Sequence, residues 1–255
     1  MKEVFFTGVV HPQRALLTLP QINIKIFLND DILLGHAHIS IDNSQVMVLF
    51  EIHQDNYDIL TIRNSILDLV QNYINLFDFM KGYSHHAEII QCVEGKKPPI
   101  VFGVSIDAIG SLGDDNEIND LIPKLLSLTN DTDGQFFSRC LHDLSLAISR
   151  PIDTGFYLSR ALESLCRFVG DKYDIPEECD QRKYLGEKLN ITKEDTKKLL
   201  HHGTQARHGK HIPMTAEDRA EFFTQAYDIV DKFIIWQFKE MGIEPSIPRR
   251  VRGKE

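Results

Sequence analysis

The sequence predicts an α+β protein, in which an N-terminal antiparallel sheet packs on one long helix and a C-terminal segment forms an all-α bundle. Short β-rich runs fill most of the first hundred residues, and apolar residues at helical spacing fill the remainder. The charge balance also changes along the chain. Residues 1–150 hold 10 Lys and Arg against 19 Asp and Glu, whereas residues 151–255 hold 18 of each.

Residues 1–110 are predicted to form one α+β domain. Its strands are β-rich runs bounded by turn residues: Glu3–Val10, Gln21–Leu28, Leu33–Ile41, Val46–Ile52, Ala87–Val93 and Ile100–Ser105. The third and fourth runs form a hairpin across Asp42-Asn43-Ser44. After them, residues 59–81 carry apolar side chains with a 3.6-residue period and end before Gly82, which predicts a long amphipathic helix.

His36 and His38 lie two residues apart and therefore on one face of their strand. A metal site is one interpretation, but it needs a third ligand, and the sequence places none in view beside them. A solvated strand face is the alternative that we prefer. We therefore expect no metal and no cofactor.

Residues 111–134 are predicted to be a linker with a short helix, and residues 135–243 a helical bundle. The helices are Asn119–Leu128, Gln135–Ser149, Thr154–Asp174, Glu177–Leu189, Lys193–His202 and Ala216–Met241. The last of these is rich in Phe, Ile and Trp, which favours a homodimer through the bundle. Residues 244–255 have two prolines, three arginines and little to bury, which predicts a disordered basic tail.

The composition also narrows the classes of function. The sequence has no run of 18 apolar residues and no signal-peptide pattern at its start, so we expect a cytoplasmic protein without a membrane span. Four scattered cysteines without CxxC spacing indicate free thiols. Because the first half is acidic, any contact with RNA should come from the C-terminal half. The sequence lacks the glycine-rich nucleotide motifs and the GxSxG and HExxH motifs.

The segment His201–His211, HHGTQARHGKH, holds four histidines and Arg207 just before a helix that opens at Thr215. A guanidinium binds phosphate oxygens as a planar fork, and an imidazole exchanges a proton near neutral pH. These groups are sufficient for metal-independent phosphodiester cleavage. The alternative is a solvated loop whose polar residues only cap helices.

The C-terminal helices resemble the HEPN superfamily of four-helix bundles. The resemblance rests on Phe156–Gly170, Arg182–Ile191, the RHGKH turn and the long final helix, and it covers roughly residues 135–243. It implies an antiparallel bundle that dimerises. In active members, an Arg-x4-6-His motif from two protomers forms a metal-independent ribonuclease cleft, whereas similar bundles without the motif are binding or assembly modules.

Carried over to this chain, the resemblance makes Arg207 the motif arginine, His208 the polar residue after it and His211 the motif histidine. Only three residues separate Arg207 from His211, and Gly209 is one of them. If the turn stays helical, the i to i+4 spacing puts both side chains on one face; if Gly209 ends the helix, His211 points elsewhere.

Further polar residues of the bundle are candidates for a supporting role. Arg160 and Glu163 could line the cleft opposite Arg207, although an exposed i,i+3 ion pair is the interpretation that we prefer for them. His202 is the third supporting candidate.

Two functions therefore remain open. One is a protein that binds RNA or a nucleotide phosphate through its C-terminal half, with metal-independent endoribonuclease activity as its catalytic form. The other is a non-catalytic, dimeric interaction module whose N-terminal domain recruits a protein partner.

Overall fold

The computed structural model describes residues 2–28, 32–54, 56–103, 106, 108–130, 132–210, 214–245, 247–248 and 250–251. The chain divides into two compact units, residues 1–103 and residues 104–255. The first contains an antiparallel sheet and a long helix, and the second is mainly helical. The predicted α+β class is confirmed.

A six-stranded antiparallel sheet forms most of the first unit. Its strands are β1 (Lys2–His11), β2 (Leu19–Leu28), β3 (Ile32–Asp42), β4 (Gln45–Ile52), β5 (His86–Glu94) and β6 (Ile100–Val101), in the spatial order β2-β3-β4-β1-β5-β6. The predicted β3–β4 hairpin turns at Asn43 and Ser44, which both have positive φ, of 48° and 63°. Two such residues in a row make the tight turn that matches the twist of paired strands.

Helix α1 (Ile59–Lys81) has the bounds that the sequence predicts. Asp58 caps its start through the backbone N–H groups of Leu60 and Thr61, and Gly82 ends it in the left-handed conformation. The apolar residues of α1 share one buried core with alternate residues of the strands. Residues on the opposite face of the strands, among them Phe5 and Met47, are partly exposed. The sheet thus buries one face in this core and presents a mixed polar and apolar surface on the other.

Six α-helices of the second unit surround a second core. They are α2 (Asp115–Ser127), α3 (Gly134–Ser149), α4 (Thr154–Lys172), α5 (Glu178–Leu189), α6 (Lys193–Arg207) and α7 (Ala216–Glu240), with a short 3₁₀ helix at Pro151–Asp153. Helix α4 is central, since it contacts α3, α5, α6 and α7. None of the helices in the described residues is long and apolar enough to cross a membrane.

The end of α6 differs from the prediction, which stopped this helix at His202. The helix continues through Gly203 because that glycine allows α6 to approach α4 closely. A Cβ at Gly203 would stand 2.2 Å from the Cβ of Ser159. Gly203 is therefore a packing glycine and not a helix end.

The predicted domain limits need three corrections. Residues 104–110 belong to the second unit, whereas the prediction ended the first domain at residue 110. The predicted linker, residues 111–134, contains α2, whose Leu121 is buried in the helical core, as is Leu128 just after it. The linker prediction rested on the polar stretch Gly110–Glu117. In the helix that follows, Ile122 and Leu126 are exposed, but Leu121 is buried in the core.

The predicted disordered tail is the third correction. Strand β8 (Arg250–Val251) pairs with β7 (Ser111–Leu112). The Arg250 guanidinium donates to both carboxylate oxygens of Asp231, at 2.6 and 2.7 Å, and Ile247 packs against the helical core. The partners of this segment are distant in sequence, so its composition alone could not reveal them. Residues 252–255 lie outside the described residues.

Candidate functional site

Helix α6 carries the residues of the predicted Arg–His motif. Thr192 caps its start, and Asp195 returns the hydrogen bond in a complete capping box. At the other end, Arg207 is the last helical residue, His208 is the C-cap, and Gly209 has a φ of +72°. The glycine supplies the left-handed conformation with which many helices end.

The end of α6 bears on the predicted motif, which needed the turn after Arg207 to stay helical. The helix on which the i to i+4 relation depends stops at Arg207, within the motif, and His208 is exposed at its end. His211 lies outside the described residues.

Arg207 has a carboxylate partner within the bundle. Its guanidinium forms an ion pair with Glu163 of α4, and the two side chains are 39% and 24% exposed. Exposed pairs of this kind contribute little to stability, because water screens them and two long side chains must be ordered. The predicted supporting residue Glu163 thus lies next to Arg207, as expected for one cluster, but it neutralises the cation that would bind a phosphate.

Arg160 forms a different pair. Its guanidinium bonds both oxygens of Asp143, which is fully buried on α3, with the Nε–Oδ2 distance at 2.8 Å. The rings of Phe156 and Tyr157 each lie about 5.1 Å from the guanidinium carbon. The hydrogen bonds with Asp143 raise the pKa of Arg160. The preferred interpretation, a local pair between Arg160 and Glu163, is wrong: Arg160 joins α4 to α3, and Glu163 joins α4 to α6.

His202 packs inward. Its ring meets the ring of Phe222 at a centroid distance of 5.0 Å in an edge-to-face arrangement. It also borders a cavity of about 210 Å³ beside Gly155, Phe156 and Met214. Burial lowers the pKa of His202 below its ordinary value. Near neutral pH it is therefore a neutral ring packed against Phe222.

An open groove of about 1100 Å³ lies between α5 and α6, with α4 behind it. Its apolar lining residues are Leu162, Cys166, Leu185, Ile191, Leu200 and Ile229. Sequence reasoning missed this groove, because α5 and α6 are each hydrophilic overall and their few apolar residues meet only after folding. Glu163 and His201 also line it, so the groove and the Arg207 cluster are neighbours.

Comparison with known protein families matches both parts of the chain to one family. Residues 4–101 match the N-terminal domain, and residues 122–237 the C-terminal domain, of a family described as a domain of unknown function (DUF8168). Each matched segment falls within one of the two compact units. No curated protein and no solved structure matches the chain.

Proposed function

We propose that this protein is a non-catalytic interaction module that dimerises through the groove between α5 and α6 and recruits a partner through its N-terminal unit. The observation that carries the proposal is the apolar lining of a groove that is open to solvent. A complex in which a partner removes such apolar surface from water is stabilised by the hydrophobic effect.

The charges around the groove favour a protein over a nucleic acid. Four basic residues line it, Arg182, Lys183, Lys193 and Lys197, and so do four acidic ones, Glu163, Glu178, Glu187 and Glu194. Some of them already pair within one helix, as Lys197 does with Glu194 at 3.3 Å. A phosphate backbone needs an excess of positive charge, which this lining does not offer.

The same balance of charges suits a second copy of the chain. In a two-fold dimer, one surface must complement itself, and equal numbers of both signs satisfy that requirement. Helix α5 has 12 residues and α6 has 15, so at 1.5 Å per residue the groove walls are roughly 18 and 22 Å long. A helical hairpin of the partner copy has a matching length. Membership of a dimeric, HEPN-like class of assembly modules fits this arrangement.

A charge placed in the groove tests this proposal. We expect the protein to sediment as a dimer at micromolar concentration and Leu200→Glu to sediment as a monomer, because the new carboxylate would be buried at the interface. Leu141→Glu is the matched control, since Leu141 is exposed on α3 and does not line the groove. A monomeric wild-type protein, or a dimer unaffected by Leu200→Glu, would contradict the proposal.

Within this proposal, the first unit recruits its partner through the sheet face opposite the α1 core. Phe5, Phe27, Met47 and Ile90 are large apolar residues with exposed side chains there. The proposal places the protein in the cytoplasm, with its four cysteines as thiols; Cys92, Cys140 and Cys166 are buried.

Binding of RNA or a nucleotide phosphate is the second candidate. It is favoured by the exposed basic side chains His201, Arg207, His208 and Lys210 near the C-terminal end of α6. A phosphate would have to displace Glu163 from Arg207 and approach the negative end of the helix dipole, and both effects weaken binding.

In the catalytic form of this candidate, Arg207 stabilises the charge of the transition state, and His211 exchanges a proton with the 2′-hydroxyl or the leaving oxygen. RNA incubated with the protein in EDTA would then yield a cyclic phosphate end. Arg207→Ala and His211→Ala would each lower the rate about a hundredfold or more. Cleavage that is equal in the wild type and both variants would come from a contaminant, and no cleavage leaves the interaction module as the function.

A further inference from the structure

Two histidines and a glutamate converge on the sheet face opposite the α1 core. They are His36 of β3, Glu51 of β4 and His53, which directly follows β4. One ligand atom from each lies within 4.8 Å of the ligand atoms of the other two. Among the residues that the structure describes, these three are the group of histidine, cysteine and acidic residues that meets this distance.

The backbone holds the three residues in place. His36 and Glu51 are directly opposed in the β3–β4 register, and His53 follows Glu51 by two positions on the same face. The His53 N–H donates to the Leu34 carbonyl at 3.0 Å, which extends the strand pairing beyond the end of β4. The Gln54 side chain donates to the Leu33 carbonyl, also at 3.0 Å. The site is therefore built on paired backbone and not on a free loop.

The imidazole of His36 provides a second, independent observation. Its Nε2 atom is buried and has no hydrogen-bond partner among the described residues. Its Nδ1 atom lies 3.9 Å from Oε2 of Glu51, and the ring of His53 stands 4.9 Å away between centroids. The two ring nitrogens therefore differ: Nδ1 faces the Glu51 carboxylate and is the nitrogen available to a metal ion there, whereas Nε2 is buried.

His38 flanks the same carboxylate. Its Nδ1 lies 2.8 Å from the side-chain oxygen of Asn23, and its Nε2 lies 3.5 Å from Oε1 of Glu51. The contact with Asn23 holds the imidazole in place, and the contact with Glu51 orients that carboxylate on the face that it shares with His36.

We propose that His36, Glu51 and His53 bind a divalent transition-metal ion, with Zn²⁺ as the best match. Two imidazoles and one carboxylate suit Zn²⁺, whereas Ca²⁺ and Mg²⁺ prefer oxygen ligands alone. Bonds of about 2.0–2.1 Å in a tetrahedron put ligand atoms roughly 3.4 Å apart. The 3.9 Å between His36 and Glu51 is near that value. Three protein ligands leave the fourth position to water or to an atom of a partner.

The site differs from the one that the strand pattern suggested. His36 and His38 share a face, but His38 touches Glu51 from the side away from His53 and acts as a positioning residue for that carboxylate. Lys25 is the cross-strand neighbour of His36 on β2. Its positive charge opposes a cation on this face, so Lys25→Ala should tighten binding by a few-fold.

Calorimetric titration of the full chain with Zn²⁺, buffered by a weak chelator, tests the proposal. We expect one ion per chain, with tenfold or greater loss of affinity in His53→Ala and in Glu51→Gln. The matched control is His11→Ala, because His11 lies near a glutamate, Glu88, at 3.2 Å and stacks on His86 in the same sheet. That variant should bind like the wild type. Excess Mg²⁺ should not displace the ion.

Two results would overturn the proposal. One is the absence of stoichiometric Zn²⁺ binding by the wild type. The other is an equal loss of affinity in His11→Ala and His53→Ala, which would mean that surface histidines bind the ion without a defined site. Thermal melts of the metal-free variants check folding. If Glu51→Gln is unfolded, His53→Ala alone decides. The His53 side chain is exposed, and its contact with the neighbouring strand is made by the backbone, so this variant should fold.

Discussion

The two candidate clusters of this protein, one in each unit, differ in how their polar groups are paired. In the helical unit, the arginines that looked most available for a ligand are already paired, Arg207 with Glu163 and Arg160 with Asp143. On the sheet, His36 keeps a buried nitrogen that has no hydrogen-bond partner among the described residues, beside Glu51 and His53. A group of polar residues close together in the sequence is thus a weaker indication of a site than a group left unsatisfied in the fold.

The comparison depends on the second unit being self-contained, and truncation is the change with the largest expected effect. A fragment of residues 104–255 should unfold cooperatively. A fragment of residues 135–255 lacks α2 and Leu128, so it exposes the core surface that packs against Leu121 and Leu128. Burial of one leucine contributes roughly 1.5–3 kcal/mol, so this fragment should be less stable by several kcal/mol.

Chemical denaturation with circular dichroism measures both fragments. If the two fragments are equally stable, residues 111–134 contribute nothing to the helical core and act as the predicted linker. A fragment of residues 104–255 without a cooperative transition would mean that the two units share stability.

The two ion pairs of α4 should differ in their contribution to stability. Asp143→Ala removes a fully buried carboxylate and leaves Arg160 without its partner, which should cost about 2–4 kcal/mol. Glu163→Ala breaks an exposed pair and should change the free energy of unfolding by about 1 kcal/mol or less. Urea denaturation of the two variants, side by side, gives the difference. If Glu163→Ala lowers the free energy of unfolding more than Asp143→Ala does, the pair between Glu163 and Arg207 is the more important one for the stability of the bundle.

The smallest expected effect concerns pH. Burial lowers the pKa of His202 in the folded state, so the unfolded chain binds the proton more tightly. Stability contributed by the neutral ring is fully present above about pH 6.5, the ordinary histidine pKa, and is lost as the pH falls below it. His202→Gln should flatten this part of the profile, measured as melting temperature between pH 5 and 7.5. His142→Gln, at an exposed position on α3, is the control and should keep the contribution of His202 to the profile.

Local pattern was enough to predict most elements. Alternation and turn residues located the strands β1 to β5, and periodicity with capping residues located α1 with both of its ends. The predicted end of α6 was wrong. A glycine that permits close helix packing cannot be distinguished by residue type from a glycine that ends a helix. Gly203 and Gly209 are only six positions apart, and their surroundings in space distinguish them.

The sequence by itself determined the α+β class, the long helix α1 and the hairpin of β3 and β4, because each follows from periods of two or 3.6 residues and from short-range capping. Tertiary structure decided the partners. Asp143 reaches Arg160 across 17 positions, Arg250 reaches Asp231 across 19, and strand register brings His36 to Glu51. Such pairings depend on how elements pack, and the free energy of an ion or a buried nitrogen depends on its neighbours in space. The chemistry of both clusters was therefore set by contacts that no local pattern encodes.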